Sequence, residues 1–184
     1  MDDQFPTFER KLVLNLQVIV GALAAGSLAF LVMAAVLARQ DIVPGRHDPL
    51  FGYVVLGLAA AAVLARLVVG HLFVRIGRRR IVDDRFLAKP SPDPAVEEFL
   101  RQGGDRAKLF LVYFMQAITT AAILEGAAFA AGIFYLVLDR SPWNLTVAGC
   151  LIGMILMQFP TRRHIGNWVD RQLRLVADER QFRA

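Results

Sequence analysis

Apolar residues form four long blocks along the chain, and ionisable residues lie mostly between the blocks. The blocks cover residues 12–38, 51–74, 109–138 and 142–160. Each is longer than the ~18 residues that an α-helix needs to cross a hydrocarbon layer of about 30 Å. Proline breaks a helix, and all eight prolines lie outside the blocks or at their ends. The pattern predicts four uninterrupted spans, and therefore an all-α integral membrane protein.

The polar segment between the second and third blocks, residues 77–107, contains a helical pattern of its own. Asp93 followed by Pro94 is a favourable helix start. Residues 95–102 can then form two helical turns that end at Gly103–Gly104. The apolar side chains that would share one face are Val96, Phe99 and Leu100. We therefore expect a short helix within this loop.

The tail, residues 161–184, predicts an amphipathic helix. One face recurs at steps of three and four residues and is apolar apart from one glutamine; its residues are Ile165, Trp168, Val169, Gln172, Leu173 and Val176. Arg and Trp near a bilayer suit a helix that lies in the membrane interface. Docking onto the chain's own loop explains the pattern equally well, and docking onto a partner protein is a third possibility. All three alternatives stay open at this point.

The basic residues are distributed unequally between the blocks. Most of the 21 Lys and Arg residues lie before the first block, in residues 77–107 or in the tail. The segments on the opposite side hold only Arg39, Arg46 and Arg140. By the positive-inside rule, both termini and residues 77–107 are cytoplasmic. The predicted fold is thus an antiparallel four-helix bundle with a cytoplasmic loop helix and a cytoplasmic tail helix.

Composition and charge agree with a membrane protein. Hydrophobic residues make up 56% of the 184 residues, above the roughly 45–50% of soluble domains. The formal net charge of +5 calls for no nucleic-acid partner, because basic residues at span ends meet anionic lipid headgroups. We therefore expect membrane lipids as partners and no nucleic acid.

One carboxylate, Glu125, lies near the centre of the third block. A charged side chain at mid-bilayer costs ~2.5–3.5 kcal/mol on insertion scales, so this residue is protonated, paired, or turned toward water or a polar neighbour. The residues that share its helix face are all small: Ala121, Ala122, Ala128 and Gly132. Small residues allow close helix approach, which predicts that Glu125 lies at a helix interface.

Few side chains within the blocks are able to partner Glu125. Arg66 is the one basic residue clearly inside a span, and its depth allows a bridge to Glu125. The alternative is that Arg66 extends to the cytoplasmic headgroups. The polar candidates for a hydrogen bond to Glu125 are Gln17, Thr119, Thr120 and Tyr135.

Three roles for Glu125 remain open: locking helix packing or an oligomer interface, binding a proton or cation, and binding a ligand. The small-residue stripe Gly21, Ala25 and Ala29 in the first block favours self-association. No catalytic triad, metal-ligand spacing or phosphate-binding glycine loop is present in the sequence, so we expect no cofactor, no metal and no enzyme activity. An enzyme that acts on lipid is a distant alternative.

Three stretches together resemble a loose group of small bacterial inner-membrane proteins with four spans. The stretches are NLQVIVGALAAGSLAF in the first block, AILEGAAFAAGIFYLVL in the third, and MQFPTRRHIGNWV at the end of the fourth. Some proteins of this group are likened to the c-subunit of rotary ATP synthases, which also has a small-residue helix with one mid-membrane carboxylate. The resemblance implies a multi-pass protein of the bacterial inner membrane.

The chain departs from a true c-subunit in two respects. A polar segment of about 30 residues, 77–107, precedes the Glu125 helix, where a c-subunit has a short loop. The second and fourth blocks hold no carboxylate, although four-span rotor subunits would be expected to carry one there. The resemblance therefore implies a topology and does not imply membership of a rotor.

Overall fold

In the computed structural model, the chain is described over residues 4–40, 49–86, 94–138 and 140–182. These residues form helices and connecting turns without any strand, which confirms the all-α prediction. In chain order the helices are α1 (Gln4–Arg39), α2 (Pro49–Val82), α3 (Pro94–Val137), α4 (Pro142–Met157) and α5 (Arg162–Gln181).

Three of the helices, α1, α2 and α3, are long and apolar enough to cross a membrane. The helices α4 and α5 reach the same criterion only together, as a broken pair. The described part of the chain therefore has three candidate spans, or four when the broken pair counts as one. This is typical of a multi-pass membrane protein.

The fourth helix is shorter than the predicted span 142–160. It has 16 residues, which corresponds to about 24 Å at 1.5 Å per residue. Ser141 caps its start by accepting a hydrogen bond from the first turn. The helix ends at Met157 because Pro160 disfavours helical geometry at Phe159. The helix α4 therefore ends about one turn before the expected end of the span.

The helices α2 and α3 extend into the predicted loop 77–107 from both sides. The helix α2 continues to Val82, and α3 begins at Pro94. The run of arginines near the end of α2 is polar and therefore resembles a loop in the sequence. Cations nevertheless stabilise the C-terminus of a helix, because they interact favourably with the helix dipole. Asp93, the expected N-cap, lies outside the described residues.

A Schellman turn ends α2. The Arg85 N–H group donates to the Arg80 carbonyl at 2.9 Å, and the Asp84 N–H group donates to the Ile81 carbonyl at 3.2 Å. Asp84 adopts the left-handed conformation that this turn needs, with φ of 50°. The turn thus places an aspartate where glycine is usual, and its carboxylate points toward the tail helix, as described below.

The helix α3 is interrupted at Gly104, where φ is 52° and ψ is −134°. Side chains with a β-carbon rarely adopt a positive φ, so this position favours glycine. The residues from Pro94 to the interruption are helical, which confirms the predicted short helix and its end at Gly103–Gly104. The sequence did not predict that the next helix starts at once.

The described residues form two compact units, each built from different parts of the same helices. The first, here called the polar unit, comprises Met1–Gln17, Gly70–Ala117 and Pro160–Ala184. The second, here called the apolar unit, comprises Val18–Val69 and Ile118–Phe159. Nearly all of the described charged residues belong to the polar unit.

In the polar unit, the apolar face of α5 is buried against the chain itself. Ile165, Val169 and Val176 are each at most 2% exposed. Trp168 meets the Tyr113 ring edge-on, with 5.2 Å between the ring centroids. The tail is therefore an amphipathic helix as predicted, and of the three alternatives for its apolar face the structure shows docking onto the protein's own residues.

The short helix at the start of α3 also contributes to the core of the polar unit. Phe99 and Leu100 are each 3% exposed. The Phe99 ring contacts Phe8 at 4.8 Å and Phe110 at 6.2 Å between centroids. The predicted apolar face of this helix is thus buried, although the segment is too small to form a core alone.

In the apolar unit, α1 and α3 approach each other closely through small residues. A β-carbon added to Gly132 would lie 2.8 Å from Cε1 of Phe30, so only glycine fits there without a shift. The Phe30 and Phe129 rings are 4.9 Å apart. By contrast, α2 is the least buried of the three long helices, and its exposed apolar side chains suit contact with lipid.

Candidate functional site

Glu125 lies on α3 at the edge of the contact with α1. Its Oε1 atom is 4.0 Å from the position that a β-carbon on Gly26 would occupy. The Glu125 side chain is half-buried, and Gly26 is exposed. The carboxylate therefore lies against bare backbone on one side and faces the surroundings of the apolar unit on the other.

The small residues on the Glu125 face of α3 are mostly buried. Ala121 is 1% exposed and Ala128 is 3% exposed. Gly132 is buried against α1, whereas Ala122 is exposed. Three of these four small residues are thus buried, and the fourth is exposed.

Glu125 has no polar partner among the described residues. Neither Glu125 nor Arg66 forms an ion pair or hydrogen bond with any residue in those ranges. The Arg66 side chain is half-buried on α2. The structure therefore does not bring Arg66 and Glu125 together as a salt bridge.

The polar residues Gln17, Thr119 and Thr120, the other candidate partners of Glu125, form no described hydrogen bond with it. The Gln17 amide nitrogen donates to the Pro160 carbonyl at 2.8 Å. The Thr120 hydroxyl donates to Oε1 of Gln158 at 3.3 Å. Thr119 is half-buried and has no described hydrogen bond to Glu125. Gln17 and Thr120 thus stabilise the chain around the end of α4.

Ser27 is a polar residue near this contact that the sequence analysis did not single out. It follows Gly26 on α1 and is 2% exposed. Its hydroxyl oxygen is buried without a hydrogen-bond partner in the part of the chain that is described. A serine inside an apolar block was the available signal, but the sequence does not reveal which helix face the hydroxyl occupies.

A second polar group, here called the Arg180 cluster, was also not predicted. Arg180 on α5 donates hydrogen bonds to the Asp105 carboxylate and, at 3.1 Å, to the Ile81 carbonyl. It also lies 3.5 Å from the Asp84 carboxylate, and Lys108 lies 3.1 Å from Asp105. The cluster joins the end of α2, the second segment of α3 and the tail helix.

Asp105 is ionised in the Arg180 cluster. Burial opposes its ionisation, but the hydrogen bonds from Arg180 and Lys108 outweigh burial and hold the pKa of the Asp105 carboxyl below its usual range. Two further ion pairs, Arg78–Glu179 at 2.7 Å and Arg106–Asp170 at 3.3 Å, also involve α5. These charges pair with one another across helices, which suits docking of the tail rather than chemistry.

Neither a metal centre nor a reactive nucleophile site is formed by the described residues. No group of three or more His, Cys, Asp or Glu side chains in these ranges is placed to hold a metal ion. The free thiol of Cys150 is exposed on α4. The half-buried, unpartnered carboxylate of Glu125 is therefore the chemically distinctive group of the apolar unit.

Comparisons with known proteins leave the family open. No family model, curated protein or solved structure matches this chain. The resemblance to small four-span bacterial membrane proteins stays a prediction, and functional inference rests on the geometry of the chain itself.

Proposed function

We propose that the protein is a non-enzymatic integral membrane protein that serves as a scaffold or accessory subunit. In this proposal it is an antiparallel four-helix bundle of the bacterial inner membrane with both termini cytoplasmic. The long apolar helices support a membrane location. The concentration of Lys and Arg near the termini and in residues 77–107 supports the orientation.

The observation that carries the accessory role is the unpartnered carboxylate of Glu125 beside exposed small residues. A polar group in lipid is costly without a partner, and helices in membranes associate where small residues let backbones approach. Ala25 and Gly26 on α1 and Ala122 on α3 are exposed. A helix of a second copy, or of another membrane subunit, fits against this surface and supplies a hydrogen bond to Glu125.

The proposal is tested by the size of the complex that the protein forms. Interhelical hydrogen bonds in membranes contribute about 1–2 kcal/mol in model peptides. Glu125→Leu removes the bond, so we expect the particle extracted in mild detergent to become smaller, as measured by native electrophoresis and light scattering. Glu125→Gln keeps a hydrogen-bonding group, and we expect it to retain most of the complex.

Ile133→Ala is the matched control for this experiment. Ile133 lies on α3 in the same unit and is 50% exposed, yet it offers no polar group. We expect this variant to keep the size of the wild-type complex. A wild-type protein that is monomeric in native membranes would contradict the accessory role.

A second candidate function is binding or transfer of a proton or cation by Glu125. It is favoured by the same absence of a described partner, because an unpaired carboxylate is available to a proton or cation. Ion flux into vesicles that contain the purified chain distinguishes the two functions. Flux that depends on Glu125 supports this second candidate, and flux equal to that of empty vesicles supports the scaffold.

A further inference from the structure

A groove with charged walls lies in the polar unit between α1 and the first residue of α5. It is lined by Glu9, Arg10, Val13 and Arg162. Val13 forms an apolar floor and is 3% exposed. The two arginines are exposed and Glu9 is half-buried, so charged groups of both signs face the opening.

Local hydrogen bonds hold the walls of the groove in place. Arg10, Val13 and Gln17 follow one another at steps of three and four residues, so they share one face of α1. The Gln17 amide donates to the Pro160 carbonyl at 2.8 Å, two residues before Arg162. The Thr161 hydroxyl then caps α5. The chain leading to Arg162 is thereby fixed against α1.

The charged groups of the groove have no partner among the described residues. Arg10, Arg162 and Glu9 form no ion pair or hydrogen bond with any residue in the described ranges. Guanidinium groups bind phosphate through paired N–H donors, and a carboxylate accepts hydrogen bonds from an ammonium group. The groove therefore offers two cationic donors for a phosphate and one acceptor for an amine.

The position of the groove along the chain corresponds to the level of lipid headgroups. Arg10 lies two residues before the first apolar block, and Arg162 lies two residues after the fourth. Basic residues at span ends meet lipid phosphates. Leu14, one turn after Arg10 on α1, is 58% exposed and gives an acyl chain an apolar surface.

We infer that this groove binds the headgroup of a phospholipid that carries both a phosphate and a primary ammonium, as in phosphatidylethanolamine. The phosphate lies between Arg10 and Arg162, and the ammonium lies at Glu9. An anionic headgroup without an amine would leave the Glu9 carboxylate without a hydrogen-bond donor. A choline headgroup likewise has no N–H group that could donate a hydrogen bond to Glu9. The inference requires that the chain is a membrane protein, but it does not depend on the role of Glu125.

The experiment measures lipid binding to the full chain in detergent by native mass spectrometry. The probes are phosphatidylethanolamine, phosphatidylglycerol and phosphatidylcholine with identical acyl chains, and inorganic phosphate as competitor. We expect the wild-type chain to bind phosphatidylethanolamine most tightly. Each arginine supplies charge-assisted hydrogen bonds to the phosphate, so Arg10→Gln/Arg162→Gln should weaken binding about fivefold for each arginine removed.

The controls separate this site from diffuse surface charge. Lys11→Gln/Arg163→Gln removes the same charge from neighbouring exposed positions that do not line the groove. We expect this variant to bind within about twofold of the wild type, since screened charges outside the site contribute little. Glu9→Gln should still bind lipid but lose the preference for phosphatidylethanolamine over phosphatidylglycerol.

Three outcomes would overturn the inference. The first is an equal loss of binding in the control pair, which would indicate diffuse attraction to headgroups. The second is tighter wild-type binding of phosphatidylglycerol or phosphatidylcholine than of phosphatidylethanolamine. The third is displacement of the lipid by millimolar inorganic phosphate, which would make the groove a site for free phosphate. None of these results would change the size of the complex that tests the proposed function.

Discussion

The interactions that stabilise the interior of the polar unit differ from those inside the apolar unit. In the polar unit, a buried apolar face on α5 is surrounded by ion pairs, and the pairs that Arg180 and Arg78 form link separate helices. In the apolar unit, the contact between α1 and α3 relies on glycine, alanine and aromatic rings. Its one central carboxylate, Glu125, has no partner among the described residues.

The difference matches the composition of the two units, since most of the described charged residues belong to the polar unit. In water, burial of apolar area drives a helix onto its neighbour, and charged rims add specificity. In lipid there is no such drive between helices, so close backbone approach matters more. The same three long helices pass through both units, so the mode of contact is decided by local sequence and not by the helix as a whole.

The largest expected loss of stability comes from replacing a glycine at a close helix contact, and one such glycine is compared from each unit. A β-carbon on Gly77 would lie 2.6 Å and 2.9 Å from the two methyl groups of Val112, whose β-branched side chain is stiff. Overpacking costs about 1–3 kcal/mol, and we expect Gly77→Ala to lie at the upper end. The β-carbon of Gly132→Ala would lie 2.8 Å and 3.2 Å from two atoms at the edge of the Phe30 ring, and we expect a loss of about 1 kcal/mol.

The loss of stability in Gly77→Ala and in Gly132→Ala is measured as the change in the free energy of unfolding in mixed micelles. Gly149→Ala is the control, because a β-carbon at Gly149 would meet nothing within 4 Å. Alanine is favoured over glycine inside a helix by roughly 0.5–1 kcal/mol, so this variant should be slightly more stable. A larger loss for Gly132→Ala than for Gly77→Ala would show that the apolar contact is the more rigid one.

An intermediate effect is expected in the Arg180 cluster. Arg180→Ala removes the hydrogen bonds to Asp105 and to the Ile81 carbonyl and leaves Lys108 as the remaining partner of Asp105. Hydrogen bonds to charged groups contribute about 1.5–3 kcal/mol, and partial exposure reduces this to about 1–2 kcal/mol here. Hydrogen exchange of the α5 amides should become correspondingly faster.

The apolar unit supplies the internal reference for this measurement, since its amides should keep their protection. Arg174→Ala is the matched variant on the same helix, because Arg174 is exposed and has no ion pair with any described residue. Equal acceleration of exchange in both variants would mean that the cluster does not fix the tail.

The smallest expected effect is a loss of stability of the polar unit at low pH. The hydrogen bonds from Arg180 and Lys108 hold the pKa of Asp105 below its unfolded value, despite opposing burial. A carboxyl with a lowered folded pKa stabilises above its unfolded pKa, about 3.9, and loses that stability as pH falls through the folded value. We therefore expect α5 protection to decrease below about pH 4, and less so in Asp105→Asn.

Much of the helical content was predictable from the sequence. Long apolar blocks indicate membrane helices, and apolar residues spaced three and four positions apart indicate amphipathic helices. The short helix ending at Gly103–Gly104 and the tail helix are examples. The continuation of α2 to Val82 was not predicted, since a run of arginines signals solvent and says nothing about backbone conformation. The early end of α4 required the effect of Pro160 on the residue before it.

The surroundings of Glu125 were less predictable than its depth. Its small neighbours Ala121 and Ala128 followed from helix periodicity, and both are buried. The contact with Gly26 did not follow, because one sequence does not specify which faces of two helices meet. Depth alone allowed the pairing with Arg66 as one of two alternatives, and the described residues do not form this pair.

The interruption at Gly104 has a mechanical consequence. At Gly104 the backbone leaves the helical conformation, so hydrogen bonding along α3 does not by itself fix the angle between its two segments. The edge-to-face contact between Phe99 and Phe110 joins the two segments across Gly104. The angle between the segments therefore depends on side-chain packing as well as on the backbone.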